Sequence, residues 1–495
     1  MDSVERSDLK NLIEPGLFDR LNNTPYPIRK VPPERLVTWN RLDIGLRTLY
    51  LELKDKIPCI AEKIYFEDLK SQTLSSFVDP DNKLKNDFEV FKKVFNHVYT
   101  SIRDRGFDAG VSLIPVSTTG SILNGAHRLS ACLVLGKEVA ILDTGLKPIT
   151  CDYKYFFERD VPIEIIEMAA LKLISYAENA FLAFLWPSGK KNIPVSESLF
   201  KNIVYKKKIS LTPYGAFNLL YECYNHMDWA GTPDNCYKGL KQKLIECFPN
   251  SREVQVIAFQ APGGIDQVKQ LKERIRKIND IGFSSVHITD SKAECIRLAH
   301  LLFNDNGLHF LNYARLGRRQ EVGKLVQVYE NALQKGIDSA NFVVDGSFVL
   351  ELYGLRKADD IDLLIADGLS AYDILAFPSR EKEIVHHELQ VNEIVFNPSH
   401  YFIYQGVKII GFSQLLRMKK KRAEHKDLLD VQTMSAMINN NEWKRLASVV
   451  QQKVLYARIK GKRRIWKAVF AALTKIGLYE VTRNVYRRLR GSTDV

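Results

Sequence analysis

The pattern of apolar and polar positions predicts a chain in which helices and short strands alternate. Residues 1 to about 110 are mostly helical in pattern, after an entry that is rich in proline. Residues 254–259 form a predicted strand, residues 265–281 a helix with apolar positions at helical spacing, and residues 286–290 a second strand. This βαβα unit, together with the apolar runs of the C-terminal third, places the chain in the α/β class.

The length of the chain indicates several domains. A chain of 495 residues is too long for one ordinary hydrophobic core. The sequence Trp-Pro-Ser-Gly-Lys-Lys at residues 186–191 is typical of a break or linker. We predict a first domain with a helical N-terminal extension at residues 1–185, a central helical and βαβα region at 186–315, an α/β domain at 316–440 and a basic amphipathic helical tail at 441–495.

Two apolar runs between residues 342 and 366 carry the most informative motif. The second run contains Asp360 and Asp362, and alternation along a strand would put both carboxylates on one face, about 7 Å apart. Such a pair repels unless a cation lies between the two groups. Oxygen ligands suit Mg²⁺ or Mn²⁺, so the motif predicts a divalent metal site. The alternative is a buried hairpin with two solvated aspartates.

The first apolar run ends in Gly346 and Ser347, just before a helix-like segment. Glycine lets a backbone approach a phosphate closely, the helix start offers free N–H groups, and Ser347 adds a hydroxyl. A Gly-Ser pair followed by Asp-x-Asp resembles the nucleotidyltransferase superfamily. The Asp-Gly-Ser and Tyr-Gly-Leu-Arg segments are most similar to phosphotransferase-like members that modify surface glycans.

This resemblance implies further site residues. The superfamily usually supplies a third carboxylate from a following strand, for which Glu393 is the candidate and Glu388 the reserve. The segment at residues 418–430 resembles the closing helices of the family, and its Lys421 and Arg422 would then meet donor phosphates. Its two aspartates more often cap or brace such a helix.

A second phosphate motif lies at residues 111–139. Asn124 and Gly125 lead into a predicted helix that begins near Ala126 and ends at Gly136. A phosphate at this helix start would meet free N–H groups and the side chains of His127 and Arg128. The motif resembles the ParB/sulfiredoxin-like fold, but without the reactive cysteine of its redox members. The alternative is a glycine-capped helix with a surface His-Arg pair.

The central βαβα unit offers one more possible ligand site. His287 and Asp290 lie at the carboxyl end of the second strand, where open α/β sheets bind ligands. In the competing interpretation, His287 is packed, while Asp290 and Ser291 only start the next helix. That helix opens with a Ser-x-x-Glu capping box.

The positive charge is concentrated at the C-terminal end. The chain has a net charge of +13, and residues 441–495 contain fourteen basic and three acidic residues, or +11. The nearly neutral remainder disfavours a nucleic-acid-binding protein. A predicted helical stripe that includes Trp466 and Phe470, flanked by basic residues, suits contact with an anionic membrane surface or packing against the body.

Cysteine usage and hydropathy bear on location. The seven cysteines are scattered and odd in number, which is typical of a reducing cytoplasm. The N-terminal residues have no signal-peptide pattern, and no stretch of about 18 apolar residues occurs. We therefore expect a cytoplasmic protein that is peripheral to the inner face of the membrane.

Together, the resemblances imply a Mg²⁺- or Mn²⁺-dependent transferase in the assembly of bacterial surface polysaccharide, such as O-antigen or capsule. Its donor would be a nucleotide- or phosphate-activated sugar and its acceptor a lipid-linked glycan, with no nucleic acid involved. One alternative is a glycosyltransferase that uses a sugar-phosphate donor, with the ParB-like domain as a kinase or phosphate site. Another is a nucleic-acid-binding or toxin–antitoxin module.

Overall fold

The computed structural model describes residues 2–22, 24–79, 84–316, 322–334, 338–367 and 381–438, and seven single residues between 461 and 475. The chain divides into two units, Met1–Leu415 and Leu416–Val495. The described part of the first unit contains three four-stranded sheets surrounded by helices. The predicted mixed α/β class is therefore confirmed, whereas the identities of the individual domains stay predictions.

The N-terminal sheet has the strand order β1-β2-β4-β3, in which only β3 and β4 are parallel. Its strands are β1 (Asp2–Val4), β2 (Tyr26–Val31), β3 (Ile114–Val116) and β4 (Val139–Asp143). Its helices are α1 (Pro15–Phe18), α2 (Leu42–Leu53), α3 (Pro58–Gln72), α4 (Phe88–Arg105), α5 (Ala126–Leu135), α6 (Tyr153–Phe157) and α7 (Ile163–Tyr176). The predicted bounds of α5 are confirmed, and Gly136 ends this helix in the left-handed conformation.

The central sheet has the order β6-β7-β5-β8, and all its neighbouring strands are antiparallel. Its strands are β5 (Ala180–Leu185), β6 (Ile203–Ser210), β7 (Glu253–Gln260) and β8 (Val286–Ile288). Its helices are α8 (Ile193–Ser198), α9 (Pro213–Tyr224), α10 (Lys238–Cys247), α11 (Gly264–Asn279), α12 (Lys292–Leu302) and α13 (Asp305–Tyr313). Since β7 and β8 both run antiparallel to β5, they are parallel to each other, and the predicted βαβα unit is confirmed with β5 between its two strands.

The predicted domain boundary at residue 185 does not match this sheet. Strand β5 precedes that boundary, yet it pairs with β7 on one side and β8 on the other. The proline-containing break after it forms a short 3₁₀ helix, Pro187–Asn192, which leads directly into α8. The break is thus a turn within the central region and not a linker between domains.

The C-terminal sheet has the order β10-β9-β12-β11, with β9 and β12 parallel and the other neighbours antiparallel. Its strands are β9 (Phe342–Asp345), β10 (Asp362–Ile365), β11 (Tyr401–Tyr404) and β12 (Val407–Ile410). The associated helices are α14 (Val322–Gln334), α15 (Ser347–Leu352) and α16 (Val391–Phe396). Every residue of β9 and of β12 is buried, which makes these two strands the centre of this sheet.

Polar side chains connect the three sheet regions of the first unit. The Gln260 amide at the end of β7 accepts a hydrogen bond from the Trp39 N–H at 2.6 Å and donates one to the Val37 carbonyl at 2.9 Å. On the other side, the Tyr404 hydroxyl of β11 donates to the buried Glu222 carboxylate of α9 at 3.1 Å. The central sheet region is thereby tied to both of its neighbours.

The described part of the second unit consists mainly of two helices joined by buried ion pairs. Helix α17 (Phe412–Arg422) begins at the end of the first unit, and α18 (His425–Ile438) follows it. The predicted basic tail lies almost wholly outside the described residues, which include Ile465 and Val469 of its apolar stripe, both exposed. Within the described part of the chain, no helix is both long and apolar enough to cross a membrane.

Candidate functional site

The ends of β9 and β10 bring the Gly-Ser motif against one of the predicted carboxylates. Asp345, the last residue of β9, is directly opposite Asp362, the first residue of β10, so their side chains share one face of the sheet. Gly346 then turns the chain with φ +70° and ψ −144°, a conformation that favours glycine. A Cβ atom on Gly346 would be 2.2 Å from Asp362 Oδ2. Glycine is therefore required on both conformational and steric grounds.

The two predicted metal-binding carboxylates differ in their backbone environment. Strand β10 begins at Asp362, and Asp360 is exposed in the bend that precedes it. The interpretation that strand alternation orients both side chains is therefore wrong. Two positions apart, however, the Cα atoms of the two residues are separated by at most about 7 Å. Asp362 is half-buried, and Ser347 is half-buried at the start of α15.

A chain of buried, hydrogen-bonded side chains starts at Asp345, opposite Asp362, and the sequence did not predict it. Asp345 Oδ2 is 3.0 Å from His387 Nε2, and both side chains are inaccessible to solvent. His387 Nδ1 is 3.4 Å from the Gln414 amide nitrogen. If Gln414 donates to Nδ1, the proton of a neutral imidazole is on Nε2, which donates to Asp345. The sequence gives no local signal for this contact, because His387 is 42 residues from Asp345.

The prediction that Glu393 supplies a third carboxylate from a strand is wrong in its structural basis. Glu393 lies on helix α16, and its carboxylate is 3.6 Å from His400 Nε2. The neighbouring Asn392 side chain accepts from the Asp367 N–H, just beyond the far end of β10. Asp362 begins β10, so this contact of α16 lies at the opposite end of the strand from Asp362. The reserve candidate, Glu388, is exposed in a bend.

The predicted phosphate-binding cations of α17 belong to the second unit. The Arg422 guanidinium makes two hydrogen bonds of 2.8 Å to the Asp427 carboxylate, and Lys421 is exposed. Lys419, which is also buried, pairs with Asp427 at 3.2 Å and with Asp430 at 2.9 Å. Burial opposes ionisation of Asp427, but Arg422 and Lys419 lower its pKa below the ordinary value. Arg422 therefore braces the turn between α17 and α18 through its contact with Asp427. This agrees with the expectation that Asp427 and Asp430 cap or brace a helix.

The helix start at Gly125 has side chains that are partly engaged within the protein. His127 Nε2 is 2.9 Å from the Tyr65 hydroxyl, and its ring packs 4.4 Å from the Phe95 ring centroid. Burial, with a smaller contribution from the Arg47 charge, keeps the pKa of His127 well below its ordinary value. The imidazole is therefore neutral at pH 7 and would not contribute a positive charge to a bound phosphate.

Arg128 is the remaining cation at this helix start. One of its guanidinium nitrogens donates to the Leu113 carbonyl at 3.1 Å. The guanidinium also lies over Gly125, where a Cβ atom would be 3.0 Å from Arg128 Nη2. Asn124 is half-buried, and its side-chain oxygen is engaged with the Gly125 N–H. A guanidinium has five N–H donors, so the single carbonyl contact leaves Arg128 able to meet a phosphate as well.

The carboxylates at and near Asp362 are the groups that could hold a divalent cation at this site. Among the described residues, no three His, Cys, Asp or Glu side chains form a group that could hold a metal ion. Magnesium sites in transferases commonly use one or two carboxylates together with substrate phosphates. The half-buried Asp362 and the exposed Asp360 fit that arrangement, in which the substrate completes the site.

Comparisons with known proteins found no relative of this chain. No protein-family model, no curated protein and no solved structure matches the chain.

Proposed function

We propose that the chain is a transferase that moves a sugar or a phosphate-bearing group from an activated donor, with its centre at Gly346 and Asp362. The observation that carries this proposal is the 2.2 Å approach of Asp362 Oδ2 to the position of a Cβ atom on Gly346. It joins the two halves of the motif, 16 residues apart in the sequence, at one edge of the C-terminal sheet. A solvated hairpin aspartate would need no such glycine.

The residues at this edge have distinct proposed roles. Asp362 and Asp360 hold Mg²⁺ or Mn²⁺, which when bound screens the donor phosphates and stabilises the leaving group. Gly346 gives the donor close access to the backbone, and the Ser347 hydroxyl donates to a phosphate oxygen. The buried Asp345–His387 pair fixes the end of β9 opposite Asp362 and so keeps the metal-binding carboxylate in place.

The substrates and location proposed for this activity follow from the resemblance to enzymes of surface-glycan assembly. The donor is a nucleotide- or phosphate-activated sugar, and the acceptor is a lipid-linked glycan. The basic tail brings the chain to the anionic inner face of the membrane. The helix start at Gly125–Arg128 serves as a second phosphate site.

Calorimetry on the full chain tests the proposal without knowledge of the acceptor. The probes are UDP-glucose, GDP-mannose, CMP-sialic acid and dTDP-rhamnose, each with Mg²⁺ or with EDTA. We expect at least one of these nucleotide sugars to bind, and to bind more tightly in Mg²⁺ than in EDTA. Asp362→Asn should remove the Mg²⁺ dependence.

Asp367→Asn is the matched control, because Asp367 is an exposed carboxylate at the other end of the same strand. It should bind the selected nucleotide sugar as the wild type does. Binding that is equal in Mg²⁺ and EDTA, or absent for every probe, would contradict the proposal, as would an equal effect of the two substitutions.

A further inference from the structure

The central region contains a cleft that the proposed transfer reaction does not use. Its volume is about 570 Å³, within the range of small-molecule sites. The walls come from the segment after α9, from α10 and α11, and from β8 with the start of α12. Because five separate segments of the central region converge on it, the shape of the cleft is set by the fold.

Two aromatic rings are exposed at this cleft. Trp229 is 47% exposed and Phe283 is 72% exposed, although both are large apolar side chains. The backbone holds Trp229 firmly: a Cβ atom on Gly239 of α10 would be 1.8 Å from the Trp229 carbonyl oxygen and 3.2 Å from its ring. The Tyr224 ring packs behind Trp229, with ring centroids 5.2 Å apart. The cleft therefore presents two aromatic rings to solvent, of which Trp229 is packed against α10 and Tyr224.

The polar side chains of the cleft include equal numbers of cations and anions. The lining contains three basic and three acidic side chains, namely Lys243, Lys272, Arg276, Glu246, Asp290 and Glu294. Several are held in defined positions. Lys272 Nζ is 2.7 Å from Asp290 Oδ1, and His287 Nε2 is 3.2 Å from Glu294 Oε1. The cleft thus offers oriented donors and acceptors, with acidic and basic side chains in equal number.

Arg276 lines the cleft with a guanidinium that packs against one of the exposed rings. Its guanidinium carbon is 4.4 Å from the centroid of the Phe283 ring. Its Nε atom is buried and has no hydrogen-bond partner among the described residues. A buried donor without a partner is unfavourable, so a ligand acceptor that reaches this nitrogen is favoured.

We propose that this cleft binds a saccharide. A sugar ring has apolar C–H faces, which stack on exposed aromatic rings, and a rim of hydroxyl groups that both donate and accept hydrogen bonds. Trp229 and Phe283 match the faces, and the mixed donors and acceptors match the rim. A phosphate-bearing ligand would need an excess of cations, and a purely apolar ligand would leave the buried Arg276 Nε without an acceptor.

This site is separate from the Asp362 centre, and the two proposals can fail independently. Saccharide binding at the cleft requires neither Mg²⁺ nor an activated donor. If the chain is a transferase of surface-glycan assembly, the cleft holds part of the acceptor glycan. If it is not, the cleft remains a carbohydrate-binding site.

A glycan array probed with the full-length protein tests the inference, followed by calorimetry with the oligosaccharide that the array selects. We expect Trp229→Ala to raise the dissociation constant for that oligosaccharide about tenfold, which corresponds to about 1.4 kcal/mol of binding free energy. Phe283→Ala is a second variant, and its ring is so exposed that truncation should leave the fold intact. Phe157→Ala is the control, since Phe157 is 61% exposed on α6 and does not line the cleft.

Three outcomes would overturn the inference. The first is that no saccharide on the array binds above background. The second is that the selected oligosaccharide binds the Trp229 and Phe283 variants as it binds the Phe157 control. The third is that UMP or AMP binds instead and loses affinity in the same two variants, which would identify a nucleotide pocket.

Discussion

The helix start at Gly125 and the turn at Gly346 both place a glycine of positive φ before a helix, but they use the neighbouring polar residues differently. At Gly125 the polar side chains turn back into the protein, His127 onto Tyr65 and Arg128 onto the Leu113 carbonyl. At Gly346 the missing side chain makes room for the Asp362 carboxylate. Two similar motifs therefore differ in what lies against the glycine, which is the Arg128 guanidinium at Gly125 and the Asp362 carboxylate at Gly346.

The N-terminal region and the C-terminal sheet also differ in which groups contact their buried basic side chains. Beneath His127, the buried Arg47 guanidinium pairs with Asp68 at 2.7 Å and lies 3.7 Å from Asp43. In the C-terminal sheet, the buried Lys408 amine donates instead to the Ala340 and Val395 carbonyls, each at 2.7 Å. The N-terminal region thus neutralises buried charge with carboxylates, whereas the C-terminal sheet solvates it with backbone carbonyls.

The largest expected effect is that of Arg47→Met, which tests the carboxylate-paired region. The substitution leaves Asp43 and Asp68 buried near one fewer cation, so unfolding should become easier by about 3–5 kcal/mol. Urea denaturation followed by circular dichroism measures this change. Arg29→Met is the matched control, since the Arg29–Asp143 pair is substantially exposed and should contribute less than about 1 kcal/mol. Equal effects would show that the buried network is not special.

Gly346→Ala should have the next largest effect. Alanine is strained at φ +70°, and its Cβ atom would overlap Asp362, so we expect a loss of about 2–4 kcal/mol in unfolding free energy. Nucleotide-sugar binding measured by calorimetry should fall with it. Gly323→Ala is the control, because a Cβ atom there meets nothing within 4 Å and the position is helical. A neutral Gly346→Ala would contradict the proposed role of the close contact.

Lys408 makes the stability of the C-terminal sheet depend on pH. Burial lowers its pKa to about 7, whereas lysine in an unfolded chain titrates near about 10.4. Between these values the unfolded chain binds more protons, so stability should rise with pH, by at most about 1.4 kcal/mol per unit. Urea denaturation of wild type and Lys408→Met from pH 7 to 10 measures the difference. Equal slopes would mean that the two carbonyls, with the Phe396 and Tyr401 rings beside the amine, keep Lys408 protonated in the folded chain.

Arg128→Met should have the smallest effect on stability, about 1 kcal/mol, through the lost bond to Leu113. Its effect on binding separates the two interpretations of this helix start. If a phosphate binds here, calorimetry with ATP or inorganic phosphate should show affinity falling about ten- to a hundredfold, for a charged hydrogen bond of about 1.5–3 kcal/mol. Lys137→Met, an exposed basic residue just beyond α5, is the control. No binding of either probe by the wild type would favour the structural interpretation.

Local signals in the sequence were sufficient where an element carries its own boundaries. Helix α5 lies between Gly125 and Gly136, and both glycines adopt the left-handed conformation that ends regular structure. At α12, Ser291 Oγ accepts from the Glu294 N–H as the capping box predicts. The Glu294 carboxylate, however, accepts from the Asp290 N–H and contacts His287. That contact with the cleft is set by packing and not by the motif.

Elsewhere, tertiary contacts overrode the local pattern. The resemblance implied that Glu393 lies on a strand, but Val391–Phe396 is the helix α16, which packs on β10. The break after residue 185 hid the fact that β5 pairs with strands far along the chain. At the candidate site, Gly346 and Asp362 were singled out by the Gly-Ser and Asp-x-Asp motifs, whereas Asp345 and His387 meet only through tertiary packing.

The pairing of β5 also determines when, during synthesis on the ribosome, neighbouring strands cover its two edges. Its six residues, Ala-Phe-Leu-Ala-Phe-Leu, are all buried in the native sheet. Ala183 pairs with Ile257, 74 residues later, and with Ile288, 105 residues later. At a rate of synthesis of about 5–20 residues per second, the edge of β5 that pairs with β8 stays uncovered for about 5–20 s. An apolar strand of this kind is prone to aggregate, so the nascent chain should depend on chaperones until residue 288 has emerged.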